Sequence, residues 1–197
     1  MRANDRLYTQ IKGGIYHSTS VTGYRGIRSS GAIQPNTGLF PSSHFKSQYS
    51  CCRKLGAISL LDLQNPTRPL VGRKRWSNWT TFLDNHRPIT VLLDIDPAYL
   101  SEQLHDFDSL REHDPDCTMV AEAEKCYSRP IPINAVRRCI LVCAKSYSFF
   151  QIISGHTISD TDFAQTEANF EAKLRKIGYT EPPDVSRLFD KTSPNTN

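Results

Sequence analysis

The sequence has no long apolar run and no secretory leader. Its longest apolar stretches, at residues 91–93 and 140–142, are only a few residues long, whereas a helix that spans a membrane needs about 20. Residues 1–12 are polar and lack the apolar core of a signal peptide. We therefore expect a protein without a membrane segment that resides in the cytoplasm.

The chain also lacks the motifs of several large enzyme classes. It contains no GxSxG motif, no glycine- and lysine-bearing phosphate loop and no HExxH motif. A serine hydrolase, a P-loop nucleotidase and a zinc protease therefore have no support. His113 and Cys117 are two possible metal ligands at helical spacing, but such a pair is common by chance, and we expect no metal site.

Cysteines are present, but their spacing does not indicate a disulfide framework, and no CxxC pair occurs. Cys139 and Cys143 lie in an apolar run, where a free cysteine behaves as a small hydrophobic residue. The six positions are Cys51, Cys52, Cys117, Cys126, Cys139 and Cys143.

Length and composition fit one globular domain. The chain has 197 residues, of which 38% are hydrophobic, enough to bury a core. Strand patterns spread through the chain, with short helices between them, predict an α+β fold on a mostly antiparallel, split sheet. We assign residues 13–179 to this domain, 1–12 to an N-terminal extension and 180–197 to a flexible tail.

Local patterns place the main elements. Thr19 or Ser20 is a candidate cap for a helix that carries Val21, Tyr24 and Ile27 near one face, and Gly31 lies where that helix should end. A last helix should begin at Asp160 and end at Gly178, with an apolar stripe that extends to Ile177. Apolar or alternating segments predict strands at residues 15–19, 57–63, 89–95, 119–127 and 136–144.

Positive charge is clustered beside two tryptophans. The formal net charge is only +4, but Arg73, Lys74 and Arg75 stand directly before Trp76 and near Trp79. Basic residues beside aromatic rings can hold phosphates and stack bases, which predicts a nucleic-acid surface. The alternative is a solvated loop whose tryptophans close the edge of the core.

Four polar residues in the predicted strands are candidates for chemistry. Glu122 and Glu124 are two apart, so their carboxylates should share one face of a strand. Spacing alone favours the exposed face of an edge strand. His17 and Ser59 lie in other strands, where either could be a structural residue with a backbone partner.

The order of these features resembles the ADP-ribosyltransferase superfamily, in particular its toxin-like bacterial and phage branches. A strand with histidine, a helix and a glycine are followed by a strand with serine and then by a strand with ExE and a proline turn. The segments that carry the resemblance are residues 15–36, 57–63 and 121–136. The resemblance implies an ADP-ribosyltransferase-like fold and an NAD-dependent glycosyl-transfer enzyme, toxin-like or defence-related, with NAD as its substrate.

By this resemblance, His17 would hydrogen-bond a ribose of NAD. The backbone of Ser18 and Thr19 would lie near the nicotinamide amide, and Ser59 would shape the nicotinamide pocket. Arg25 and Arg28, on the helix that follows, are candidates for the diphosphate, although an exposed basic helix face explains them equally well.

The two glutamates would divide the chemistry. By similarity, Glu124 would bond the 2′-hydroxyl of the nicotinamide ribose, and Glu122 would orient the acceptor, but which of the two is the catalyst stays open. His17, Ser59 and Glu124 should line one cleft, with residues 73–79 on its rim.

The acceptor is less well defined by the sequence. ExE spacing resembles arginine-modifying enzymes, whereas the HxT opening resembles DarT-like ones, and the basic cluster with its tryptophans favours nucleic acid over a protein side chain. Two alternatives are an NAD glycohydrolase, in which water is the acceptor, and a non-catalytic nucleic-acid- or protein-binding module.

Overall fold

A computed structural model describes residues 5–36, 50–64, 79–83, 88–100, 104–106, 109–110, 112, 114, 116, 123–147 and 149–179. The α-helices in these ranges are α1 (Asp5–Ile11), α2 (Val21–Ser30), α3 (Cys51–Lys54) and α4 (Asp160–Lys176). The strands are β1 (Ile15–Ser20), β2 (Ala32–Ile33), β3 (Ile58–Asp62), β4 (Ile89–Ile95), β5 (Glu124–Tyr127), β6 (Ile131–Pro132), β7 (Val136–Cys143) and β8 (Phe150–Ser154). Short 3₁₀ helices occupy Trp79–Phe82, Pro97–Tyr99 and Ile133–Ala135.

Six strands form one sheet in the order β5-β3-β1-β4-β7-β8, and β2 pairs with β6 in a second, two-stranded sheet. Every pair is antiparallel. The predicted α+β class and the mostly antiparallel sheet are therefore confirmed.

Strand β1 of the larger sheet pairs to different extents with its two neighbours. Strand β1 pairs with β4 at six positions, from Ile15–Ile95 to Ser20–Thr90. It pairs with β3 at two positions only, Ile15–Asp62 and Tyr16–Leu61. The ladder between β1 and β3 thus stops before His17, while the ladder between β1 and β4 continues.

Helices cover both faces of the sheet. On one face, Tyr24 and Ile27 of α2 and Phe163 of α4 belong to a buried cluster with alternate residues of β4 and β7. On the other face, α1 packs with Phe82 and the remaining alternate residues of the same strands. One face of β4 is entirely apolar, and the other carries Thr90, Leu92 and Asp94, which are buried as well. Asp94 is paired there with Arg137 and Arg138 of β7.

Helix α2 follows the prediction closely. The Ser20 side chain accepts a hydrogen bond from the Gly23 N–H at 3.0 Å, and Gly31 ends the helix with a φ of 74°, a left-handed conformation that favours glycine. Helix α4 begins at Ser159, whose capping box with Asp162 satisfies the first free backbone groups.

Two expectations, about the N-terminal residues and the last helix, are corrected, and one strand was not predicted. Residues 5–11 of the expected loose extension form α1, and Leu7 and Ile11 are fully buried because they share one helix face at i and i+4. Strand β8 was not anticipated, since its sequence lacks alternation and its partner is β7. Ile177 is 63% exposed because α4 ends before it.

The cysteine prediction is wrong in one important respect. Cys52 and Cys126 form a disulfide across 74 residues of sequence, with Cα atoms 5.2 Å apart, and Cys51 is disulfide-bonded as well. Cys139 and Cys143 are free and buried. Cys126 lies on β5 and Cys52 on α3, and only the pairing of β5 with β3 brings them together.

Two further observations concern membranes and metals. Within the described ranges, no helix combines the length and apolar character needed to cross a bilayer. The same residues include no group of three or more His, Cys, Asp or Glu side chains arranged to hold a metal ion. His113 and Cys117 lie outside the described residues.

Candidate active site

His17 lies on β1 at the point where this strand separates from β3. Its Nδ1 atom is 3.2 Å from the backbone oxygen of Ser59. A carbonyl oxygen only accepts hydrogen bonds, so Nδ1 carries the proton of the neutral ring, and Nε2 keeps a lone pair. The ring is therefore oriented with an acceptor nitrogen on its other side.

The surroundings of His17 favour this neutral form. Burial lowers the pKa of the imidazole from its ordinary value of 6.5, and the hydrogen bond to Ser59 opposes that shift without cancelling it. A neutral ring at pH 7 can accept a hydrogen bond from a hydroxyl group at Nε2, which a protonated ring cannot do.

Ser59, on β3, connects two other residues of the cluster. Its carbonyl accepts the His17 hydrogen bond, and its side-chain hydroxyl donates to Oε1 of Glu124 at 2.5 Å. Donation to a carboxylate makes this a strong, charge-assisted hydrogen bond. One residue of β3 thus fixes both a ring nitrogen and a carboxylate.

Glu124 is the first residue of β5. The strand register places it opposite Leu61 and places Cys126 opposite Ser59, so the Glu124 and Ser59 side chains share one face of the sheet. Glu124 is only 8% exposed. The carboxylate is therefore held inside the protein surface and does not face open water.

The Cys52–Cys126 disulfide packs against the same carboxylate. Sγ of Cys52 is 3.7 Å from Oε1 of Glu124, the oxygen that Ser59 binds. A disulfide sulfur has no hydrogen to donate, so this is a packing contact. Sequence reasoning missed this pair, and no local pattern could have shown it because the two cysteines meet only through strand pairing.

Ser59 connects His17 and Glu124 from distant segments, the first through its backbone oxygen and the second through its hydroxyl. The register places the Ser59 and Glu124 side chains on the sheet face of Leu61, whereas the His17 side chain starts from the opposite face. One site formed by all three residues therefore stays a prediction. Two grooves are lined by described residues, one of about 290 Å³ between α2 and α4 and one of about 330 Å³ beside α3. Neither groove is lined by His17, Ser59 or Glu124, and the cleft expected around these three residues stays a prediction.

Ser18 and Thr19 have structural side-chain contacts. The Ser18 hydroxyl donates to the carbonyl oxygen of Phe82 at 2.5 Å. Thr19 is buried, and a Cβ added to Gly23 of α2 would lie only 2.2 Å from its hydroxyl oxygen. The resemblance assigns only the backbone of Ser18 and Thr19 to NAD binding, and these side-chain contacts leave that prediction open.

Arg25 lies apart from the cluster. Its guanidinium forms an ion pair with Asp160 at the start of α4, at 3.0 Å, and both side chains are exposed. It lines the groove between α2 and α4 together with Ser20. Its contacts in the structure are thus those of a surface ion pair.

Several predicted site residues are not described. Glu122, Arg73, Lys74, Arg75 and Trp76 lie outside the described residues. Trp79 begins the 3₁₀ helix Trp79–Phe82, and its side chain is likewise outside the described part. The predicted acceptor surface therefore stays a prediction.

The arrangement joins two complementary groups. Glu124 offers an oriented negative charge that can stabilise a developing positive charge, and His17 offers a hydrogen-bond acceptor through a neutral ring. Both suit a ligand that is rich in hydroxyl groups. Comparisons of the chain with protein-family models, with curated proteins and with solved structures give no match.

Proposed function

We propose that this protein is an NAD-dependent ADP-ribosyltransferase, toxin-like or defence-related, that transfers ADP-ribose to a macromolecular acceptor. The observation that carries the proposal is the double role of Ser59, which binds His17 through its carbonyl and Glu124 through its hydroxyl. The resemblance to ADP-ribosyltransferases points to the same residues, with Glu122 as the open alternative to Glu124.

The chemistry of NAD cleavage suits this cluster. Breaking the bond between nicotinamide and ribose builds positive, oxocarbenium-like charge on the sugar, as in glycoside hydrolysis. Glu124, with its Oε1 held by Ser59, stabilises that charge more in the transition state than in the ground state. The acceptor then attacks the sugar carbon as nicotinamide leaves.

His17 has a binding role in this proposal. Its Nδ1 proton is engaged by the Ser59 carbonyl, which directs the acceptor atom Nε2 to a donor such as a ribose hydroxyl. Because burial lowers the pKa of His17, the ring keeps this acceptor near neutral pH.

The acceptor is assigned from the sequence alone. The cluster of basic residues and tryptophans at positions 73–79 supports a nucleic acid, since phosphates and bases would both find partners there. A protein side chain is the alternative acceptor, and water would make the protein an NAD glycohydrolase.

The disulfide bears on where the protein would act. Disulfides persist mainly in oxidising compartments, and the Cys52–Cys126 bond is therefore a reason to expect such a compartment. The cytoplasmic location remains a prediction from the sequence, and this bond weighs against it.

The test is incubation of the protein with NAD labelled on its adenylate phosphate and a lysate separated into protein, DNA and RNA. We expect label in one fraction and release of nicotinamide. Glu124→Gln should lower nicotinamide release about a hundredfold to a thousandfold, because it removes the charge opposite the developing cation. Glu171→Gln, at an exposed position of α4, is the control and should keep wild-type activity.

Other outcomes separate the alternatives. Nicotinamide release without macromolecular label would identify an NAD glycohydrolase. No release with any fraction, combined with salt-sensitive binding of DNA or RNA, would overturn the enzyme proposal in favour of a binding module.

A further inference from the structure

The Cys52–Cys126 disulfide touches the proposed active site directly. Its Cys52 sulfur contacts the Glu124 oxygen that accepts the Ser59 hydroxyl, at 3.7 Å. Cys126 is two residues beyond Glu124 on β5 and lies opposite Ser59 on β3. The disulfide therefore shares one sheet face with both members of the hydrogen bond.

The bond also connects two short elements, one of which, β5, is paired with β3 at all four of its residues and with His105 on its other side. Strand β5 has four residues and pairs with β3 at one end of the sheet order, and α3 has four residues. Cys52 and Cys126 join these two short elements, and Ala57 before β3 donates a backbone hydrogen bond to the Cys52 carbonyl at 2.7 Å. The disulfide thus fixes α3 against β5, with the Cys52 sulfur beside the Glu124 carboxylate.

We propose that Cys52 and Cys126 are positioning residues for Glu124, so that the ADP-ribosyltransferase activity depends on the oxidised disulfide. This inference rests on the proposed function, because it assigns Glu124 to the reaction. The sulfurs do not touch the substrate, and their role is to hold the carboxylate where Ser59 can bind it.

Reduction changes the site in two defined ways. A dithiol transfers two electrons and two protons to the pair, the S–S bond breaks, two thiols form, and the dithiol becomes a disulfide. The link between α3 and β5 is then lost, and Cys52 gains an S–H group beside Glu124 that can compete with Ser59 for Oε1. Both cysteines are almost fully buried, so we expect reduction to be slow.

The experiment compares three oxidised proteins, the wild type, Cys52→Ala/Cys126→Ala and Cys51→Ala, at a temperature where circular dichroism shows all three folded. In the double variant, kcat for nicotinamide release should fall about ten- to hundredfold through misplacement of Glu124, while KM for NAD changes little. Cys51→Ala removes the neighbouring disulfide and should keep kcat near the wild-type value. Dithiothreitol should inactivate the wild type and Cys51→Ala without further effect on the double variant.

A folded double variant with wild-type kcat would overturn the inference. If the wild type itself does not cleave NAD, the proposed function fails separately, and the ¹³C resonance of the Glu124 carboxyl decides the positioning role. That resonance should differ between the wild type and the double variant, while the carboxyl resonance of Glu171 stays the same. An unchanged Glu124 resonance would contradict the positioning of Glu124 by the disulfide.

Discussion

Two pairs of neighbouring strands in the same sheet, β4–β7 and β1–β3, differ in the length of their hydrogen-bonded ladders and in the residues beside them. Between β4 and β7, seven residue pairs continue from Ile89–Cys143 to Ile95–Val136, and every residue of β4 is buried. Between β1 and β3, pairing stops after two residue pairs, and the residues beyond are the polar His17 and Ser59. The β4–β7 pair lies in the buried core, and the β1–β3 pair lies beside the candidate site.

The difference shows how a pair of strands can build a site. In a continued ladder, neighbouring strands satisfy each other's backbone groups, and the side chains can all be apolar. Where β1 leaves β3, the Ser59 carbonyl instead accepts a hydrogen bond from a side chain, that of His17. Divergence of the strands thus makes room for a polar group inside the sheet.

The largest expected effect comes from breaking the buried β4–β7 pair. Leu141→Ala removes a fully buried side chain of β7 that lies opposite Val91. The free energy of unfolding should fall by about 2–5 kcal/mol because a cavity remains. Urea denaturation measures this change, and kcat for nicotinamide release by the folded fraction should stay at the wild-type value. A strong fall in kcat without loss of stability would contradict the separation of core and site.

A smaller effect should appear in the pH dependence of stability. The pKa of His17 is lowered in the folded protein, so the unfolded chain binds more protons as the pH falls below 6.5. The free energy of unfolding should therefore rise with pH up to that region, and acid should cost stability. Urea denaturation at about pH 5 and about pH 7.5 tests this linkage.

Two variants test whether His17 causes this pH dependence of the free energy of unfolding. His17→Gln should reduce the difference in stability between the two pH values, whereas Ser154→Ala, an exchange of two non-titrating side chains at an exposed position, should leave it unchanged. An equal pH dependence in the wild type and His17→Gln would show that His17 does not titrate as described.

Local features of the sequence were sufficient to predict some of the helices and strands. The Ser20 cap and the Gly31 terminus defined α2, and the β-branched run at residues 89–95 gave β4 with its observed bounds. Each of these signals lies within one element. Strand β8 escaped prediction because its conformation is set by its pairing with β7.

For the candidate site, sequence reasoning supplied residues but not their connections. His17, Ser59 and Glu124 could be selected by their order in the chain. That Ser59 binds both of the others follows from the register of β3 with β5 and from the end of the β1–β3 ladder, which are long-range features. The disulfide beside Glu124 was missed for the same reason.

The most direct test of a single site built around Ser59 is the nicotinamide-release kinetics of Ser59→Ala. This variant removes the hydroxyl that holds Glu124 and keeps the backbone carbonyl that holds His17. We expect kcat to fall about ten- to hundredfold through loss of carboxylate orientation, with a loss of about 1–3 kcal/mol in stability because a buried acceptor loses its donor. Ser154→Ala on the exposed edge strand β8 should match the wild type in both measurements. Wild-type kcat in Ser59→Ala would contradict the account.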